Sequence, residues 1–284
     1  MTIPFDDPIG DAEDVAVIRP QSRLLEIDFK QLWRFRDLLF ALAWRDIRLR
    51  YRQTALGVAW VVLQPLLGAA IFTVVFGLIA RMPSGGAPYF VISFAGLIGW
   101  TLFSSTVTRV SASIVANAEL IRKVYFPRLL LPLGILPSTL LDFAFGAGFM
   151  AVLMAIYRIA PDSGLLLLPV CAFILLALAL GLGMIAGSFA VEFRDVQYIV
   201  PLFIQLMMYA SPVGYSANAV PAYLRPVYDL NPLVAPVEAM RWSLLGIGQL
   251  DVRGLAYSAG LAAALLAIGL AVFRLKERRF ADVI

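Results

Sequence analysis

Apolar residues in this chain gather into long uninterrupted runs instead of alternating with polar ones, so the pattern predicts helices inside lipid. A helix needs about 20 mostly apolar residues to cross the hydrocarbon core. Residues 53–80 (QTALGVAWVVLQPLLGAAIFTVVFGLIA) carry no charge and predict a first span. Residues 82–108 predict a second, entered after the turn MPSGGAP, and 129–157 a third, interrupted only by Asp142. Residues 165–191 predict the fourth, a fifth runs from Val196 to the Ser211-Pro212 stop, and 254–273 form the sixth, followed at once by RLKERR.

Three stretches are not simple spans. In residues 33–52 (WRFRDLLFALAWRDIRLRYR), Trp33, Phe40, Trp44, Ile47 and Tyr51 fall within a narrow arc at helical spacing, beside a second arc of Arg45, Arg48 and Arg52. An aromatic face next to an arginine face suits a helix lying at the cytoplasmic headgroup boundary. A plain basic flank to the first span fits the same residues. The loop NAELIRKVYFPRLLLP combines Glu119, Arg122, Lys123 and Arg128 with Val124, Tyr125 and Phe126, all three expected to be exposed, before a helix-stopping Pro127. It reads either as a docking helix, an aromatic cluster rimmed by charge, or as a short solvated loop. Between the last two spans lie Pro212, Pro221, Pro226, Pro232 and Pro236, and a piece, VAPVEAMRWSLLGIG, too short and too charged at Glu238 and Arg241 to span. A re-entrant pair of half-helices fits it, since irregular backbone at membrane depth must be buried in protein or line a cavity. An amphipathic external loop is the alternative.

Composition settles the class. The chain is 61% hydrophobic and 15% charged, with mean hydropathy +0.85, against about half apolar and about a quarter charged in soluble domains. The fold class expected is an all-α membrane protein of six transmembrane helices. With both termini cytoplasmic, 18 of the 23 Lys and Arg lie on the inner side, which is the orientation the positive-inside rule selects. Residues 1–30 read as an acidic cytosolic tail without the apolar region of a signal peptide. Residues 31–53 read as the interfacial helix and 54–284 as the six-span domain, ending in a cytosolic tail at 274–284.

The residue inventory excludes much chemistry. With no His and one Cys, a His-based metal site, a Cys/His nucleophile and a disulfide framework are ruled out. Only Lys30, Lys123 and Lys276 occur, and none follows a glycine, so the Gly-Lys-Ser/Thr of an ATP-binding phosphate loop is missing. No catalytic site, metal or cofactor is expected in this chain, and ATP-driven work needs another subunit. Asp142 is an intramembrane acid, which invites a proton-relay reading, but it is solitary in its span and favours a structural hydrogen-bonding role. Gly183 and Gly187 form a GxxxG pattern that suits helix contact within the chain.

Four ordered blocks carry a resemblance. RDIRLRYRQTALGVAWVVLQPLL is similar to the opening of the permease subunits of type-2 ABC exporters that move polysaccharides. IRKVYFPRLLLP resembles their cytosolic coupling segment, and VEFRDVQYIVPLFIQLMMYASPVGY and LNPLVAPVEAMRWSLLG resemble their fourth-to-fifth span junction and outer re-entrant region. The match runs from Leu32 to the C-terminus. The resemblance implies a bacterial inner-membrane half-transporter: two copies of this chain with two ATPase subunits that bind ATP and Mg, among membrane lipids and with no nucleic-acid partner. It implies a cytoplasmic gate helix at Arg45, Arg48 and Arg52, where guanidinium groups suit the pyrophosphate of a lipid carrier. It implies a coupling loop at 113–131, with Glu119, Arg122, Lys123, Tyr125, Phe126 and Arg128 facing the ATPase. It also implies an outer gate at 214–247 that includes Tyr215, Asn231, Glu238, Arg241 and Trp242.

A glycan with flat apolar ring faces calls for aromatic platforms, and the channel candidates are Phe72, Phe76, Tyr89, Phe94, Trp100, Phe103 and Tyr209. Aromatic belts and bundle cores compete for the same residues. The cargo implied is a lipid-linked polysaccharide such as O-antigen, capsule or a teichoic-acid-like polymer. A smaller lipo-oligosaccharide, a drug, or a proton-coupled substrate is the alternative.

Overall fold

The structure, a computed structural model, describes residues 29–52, 59–277 and 280. The acidic stretch before residue 29 and the side chain of Arg52 lie outside the described residues. Every element among those described is helical. Helices α1 (Phe29–Arg34) and α2 (Arg36–Arg52) come first, then α3 (Ala59–Phe72), which widens into a π-turn stretch at Thr73–Ile79. Next are α4 (Tyr89–Ala116), the short α5 (Ala118–Lys123), α6 (Leu130–Ile156) and α7 (Leu168–Ala190), the last preceded by a 3-10 turn at Ser163–Leu167. The chain closes with α8 (Val196–Tyr209), α9 (Arg225–Tyr228), α10 (Val234–Leu245) and α11 (Val252–Glu277).

Among the described residues, five helices are long and apolar enough to cross a membrane: Ala59–Ile79, Tyr89–Ala116, Leu130–Ile156, Ser163–Ala190 and Val252–Glu277. The expected fifth span is the exception. Helix α8 has 14 residues, about 21 Å at about 1.5 Å per residue, against a hydrocarbon core of about 30 Å. The helix stops at Ala210, where the chain turns, next to the Ser211-Pro212 stop read from the sequence.

Helix α4 is the centre of the molecule. Every position from Val91 to Trp100 is buried, because α3, α6, α7 and α10 pack around it. Small residues allow that crowding. A Cβ on Gly183 would meet Val110 of α4 at 2.7 Å, and one on Gly269 of α11 would meet the carbonyl of Gly181 at 2.5 Å. The GxxxG face of α7 is therefore spent on contacts within the chain.

The turn after α8 is secured from α10. Arg241 is 1% exposed, and its Nη2 donates to the carbonyls of Pro212 (2.5 Å) and Val213 (3.3 Å). Its Nη1 donates to the Tyr215 carbonyl (3.1 Å) and to Glu238 (3.0 Å). Glu238 in turn accepts the Ala217 N–H at 2.7 Å, and the Asn231 amide reaches the Ala210 carbonyl and Ser211 Oγ, both at 2.9 Å. The whole turn rests on Gly96 of α4, where a Cβ would stand 2.2 Å from the Val213 oxygen. Irregular backbone beside the buried half of α4 is thus satisfied by one guanidinium, one carboxylate and one amide, as a site without water demands.

This arrangement predicts a large cost for losing the guanidinium. R241M leaves three carbonyls and Glu238 without their buried donor, and should destabilise the protein by about 3–5 kcal/mol. R241K should recover only part, since an ammonium lacks the planar fork. Thermal unfolding in detergent checks both; a melting temperature unchanged in R241M would contradict the arrangement.

Candidate functional site

The end of the molecule bearing α2 and α5 gathers most of the described basic residues, and two features meet there. The first is α5 with the segment that follows it. Glu119 pairs with Lys123 at 3.1 Å and lies 3.9 Å from Arg122, all on the open side of the helix. Val124 and Tyr125 are exposed. Phe126, expected to be exposed, is instead only 4% exposed, in one apolar cluster with Ile121, Leu129, Phe273 and Phe280. Arg128 is also taken up internally: its N–H donates to Glu277 at 3.0 Å and its guanidinium to the Glu277 carbonyl. The side chains left exposed on this segment are therefore Glu119, Arg122, Lys123, Val124 and Tyr125, and Phe126 and Arg128 anchor it. Sequence could not make that division, because Phe126 differs from Tyr125 only in facing α11's end.

The second feature is α2. It does not simply lie across the end of the bundle: it runs parallel to the first half of α6, in matched steps of four residues. Leu42 sits on Gly134, Asp46 beside Ser138, and Arg50 on Asp142 at 2.7 Å. Arg109 of α4 closes the set, donating to Asp46 and to Ser138 Oγ (2.6 Å), with its Nη1 3.9 Å from Asp142. Tyr51 leaves the expected aromatic arc, donates its hydroxyl to Asp142 and stands edge-on to Phe145 at 6.1 Å. Burial, and then that hydrogen bond, push the Tyr51 phenol above its ordinary pKa and keep it a donor. Trp33, Phe40 and Trp44 do face outward.

Asp142, solitary in its own span, is given partners by two other helices. Its partners Arg50 and Arg109 escaped the sequence reading. The available signal was the spacing Asp46/Arg50 set against Ser138/Asp142, four apart in both helices.

Of the expected gate arginines, Arg45 and Arg48 are separated, and the side chain of Arg52 lies outside the described residues. Arg45 donates to Asn117 at the edge of an open cavity of about 420 Å³ between α2, the second half of α4 and the start of α6. Arg109, Ser113 and Asn117 give it a polar side, and Leu42, Leu49 and Ile135 an apolar one. Arg48 stacks on Trp44, 5.2 Å from the ring centroid, outside the cavity lining. The cavity lining sets guanidinium groups beside apolar side chains. No group of three or more potential metal ligands occurs among the described residues.

At the opposite end, four of the five expected gate residues come together: Tyr215, Asn231, Glu238 and Arg241 hold the turn after α8. Trp242 stands apart, against Gly164 of the 3-10 turn. Phe72, Phe76, Tyr215 and Tyr228 form a row of rings at successive separations of 5.6, 6.1 and 6.4 Å, and the Tyr89 hydroxyl donates to the Gly214 carbonyl beside it at 2.8 Å. Tyr228 enters from the short α9, which no periodicity links to α3. The other channel candidates part company. Phe94, Trp100 and Phe103 are buried core of α4, with Phe94 edge-on to Phe149 at 5.6 Å and Trp100 5.7 Å from Phe103. They present no surface to a passage. Tyr209 is exposed.

Five helices of membrane-crossing length among the described residues define a multi-span membrane protein. The ABC-2 type transporter family model matches residues 37–245, and the chain belongs to that family. It is 30% identical over 251 residues to the O-antigen export system permease protein RfbA of Klebsiella pneumoniae, covering 87% of this chain and 95% of that one. The RfbA of Myxococcus xanthus is 29% identical over 257 residues, covering 90% and 98%. The polysialic acid transport protein KpsM of Escherichia coli is 28% identical over 244 residues, covering 84% and 92%.

The division within the coupling segment can be measured directly. F126A should lower stability by about 3–5 kcal/mol through the cavity it leaves, whereas Y125A, at an exposed site, should stay within about 0.5 kcal/mol. Thermal melts of the two purified variants check this, and equal effects would contradict the assignment.

Proposed function

We propose that this chain is the channel-forming subunit of an ATP-driven exporter that moves a lipid-linked polysaccharide across the bacterial inner membrane. The observation that carries the reading is end-to-end similarity to O-antigen export permeases, over 95–98% of their length. A separate ATPase supplies the energy, since the sequence has no Gly-Lys-Ser/Thr. It binds ATP and Mg, and docks on α5 and Tyr125.

The working unit is two copies of this chain with two ATPase subunits. Support for a second copy comes from faces left without partners: α8 buries only Val200, and α3 only Pro65 and Ala69. The basic end is cytoplasmic by the positive-inside rule. In that orientation α8 rises from the inner side, the turn held by Arg241 completes a sixth crossing, and α10 re-enters from the outer side beside α4. The ring row Phe72–Phe76–Tyr215–Tyr228 then lies toward the outer side, where aromatic faces stack on sugar rings. A proton-coupled mechanism draws no support from Asp142, which is ion-paired with Arg50.

Co-purification with the ATPase encoded beside this chain tests the reading. Y125A should weaken that association by about 2 kcal/mol or more, roughly thirtyfold, and export should fall with it. A wild-type chain that purifies alone, with no ATPase bound, would overturn the exporter reading.

A further inference from the structure

We infer that the last turn of α11 is a clasp on two loops of the basic end: Glu277 holds the segment after α5, Lys276 holds the turn between α7 and α8, and together they are the positioning residues that make α8 follow the α5 segment. The inference rests on the exporter reading for the partner that displaces that segment.

The sequence leaves the start of α6 without a cap of its own. Val124 departs from α5 in extended conformation (φ −134°, ψ 135°), Pro127 has no N–H, and Leu129, at the N-cap of α6, has no side-chain oxygen to offer. Leu130 and Leu131 open the first turn by donating to the carbonyls of Pro127 and Arg128, both at 3.0 Å. The Arg128 N–H stands just ahead of that turn, an orphan donor of the kind every helix start carries. Glu277 accepts it at 3.0 Å, from 149 positions along the chain. The capping is mutual, because the Arg128 guanidinium donates to the Glu277 backbone carbonyl. An acid thus meets the N-terminal end of one helix and a cation the described end of another, the signs that each helix dipole favours. Arg274 holds the second Glu277 oxygen at 3.4 Å, and the Glu277 side chain is 16% exposed. Beside the caps, Phe126 packs in one cluster with Phe273 and Phe280.

Lys276 reaches the second loop. Consecutive residues on a helix point about 100° apart, so one turn can serve two directions. Lys276 Nζ lies 2.6 Å from Glu192 and 4.1 Å from the ring centroid of Phe189, at the end of α7 and the turn that leads to α8. Helix α11 is locked to α7 at Gly181 and Gly269, and about two further turns, 270–277, run on to these loops. Helix α8 buries only Val200, so little apolar packing resists movement of its first turn. A displacement of the α5 segment therefore carries the end of α11, and the Lys276–Glu192 pair carries the approach to α8 with it.

The test uses the complex with its ATPase in nanodiscs. Y198C, at an exposed position in the first turn of α8, carries a bimane label and is the parent, while Cys171 is buried in α7. MgATP with vanadate should shift the bimane emission of the parent. E277A should cut that shift by about fivefold with the ATPase still bound, because the exposed side chains of the α5 segment are untouched. E277Q, which keeps an oxygen for the Arg128 N–H, should retain most of it. K276E and E192K should each cut the shift, and K276E/E192K together should recover about half of it or more, the non-additivity of a direct pair. In the same nanodiscs without nucleotide, hydrogen exchange of the Arg128 amide should speed up by about tenfold in E277A, the worth of a hydrogen bond to a charged group, and by less in E277Q.

A parent whose emission ignores nucleotide, E277A with the parent's shift, or a double reversal no better than the single ones would each overturn the inference. So would an Arg128 amide that exchanges equally in E277A and the parent. E277A that sheds its ATPase would overturn it too, by placing Glu277 in docking and not in transmission. A wild-type chain that binds no ATPase overturns the exporter reading instead, and the exchange of Arg128 then decides by itself whether Glu277 holds the α5 segment.

Discussion

A charged carboxylate in the middle of a membrane-crossing helix must be given cations, and the basic end of this protein is arranged around that demand. Asp142 is 5% exposed at the midpoint of α6. Leaving it unpaired in hydrocarbon would cost at least about 2.5–3.5 kcal/mol. Arg50 answers it from α2 and Arg109 from α4. Because Arg50 has to reach that depth, α2 lies along α6 and not flat across the bundle end, and the hollow between α2, α4 and α6 follows. Cavity, helix placement and the second pair through Asp46 are consequences of one buried acid.

The opposite end obeys the same constraint with the signs exchanged. There the groups needing partners are backbone carbonyls, exposed by a helix that stops short, and the answer is a buried cation. Arg241 serves the turn at 212–215 and is itself neutralised by Glu238. The two arginine sites differ in one respect that matters. Arg241 has no alternative partner set to move to, since its acceptors are carbonyls fixed against Gly96 of α4. Arg109 has a second carboxylate, that of Asp142, 3.9 Å away. One cluster is a fastener, and in the other a single guanidinium stands between two carboxylates.

Much of this was legible in the sequence, and the losses have physical causes. Hydropathy located the five long helices because about 20 apolar residues have few other uses. Its fifth span ended near Ser211-Pro212, close to where α8 stops at Tyr209, but the 14 residues of that helix fall short of a full crossing. The gathering of Tyr215, Asn231, Glu238 and Arg241 came through resemblance, whereas composition marked Glu238 and Arg241 only as too charged to span. Residue type identified Tyr125 and Phe126 equally, but which one faces the core depends on Phe273 and Phe280, about 150 positions away. Asp142 was recognised as structural while its partners were missed, since pairing between helices leaves a trace only when the register of two elements is compared.

The forces are divided unevenly over the molecule, and the division bears on how a permease can move. Helices α4, α7 and α11 meet through glycines so closely that even one Cβ would collide, at Gly181, Gly183 and Gly269. Such contacts are dense and have no second arrangement of similar energy. Helix α2 has a small apolar face at Leu42 and Ala43 and depends on ion pairs for the rest. Helix α8 buries only Val200, and beyond its first turn the half-buried Lys276–Glu192 bridge at 2.6 Å joins its approach to the end of α11. Polar links can exchange one partner for another at little net cost, which interlocked apolar surfaces cannot do. The α4–α7–α11 block is therefore the frame, and α2 and α8, at its margins, are the elements whose attachments permit displacement without breaking the core.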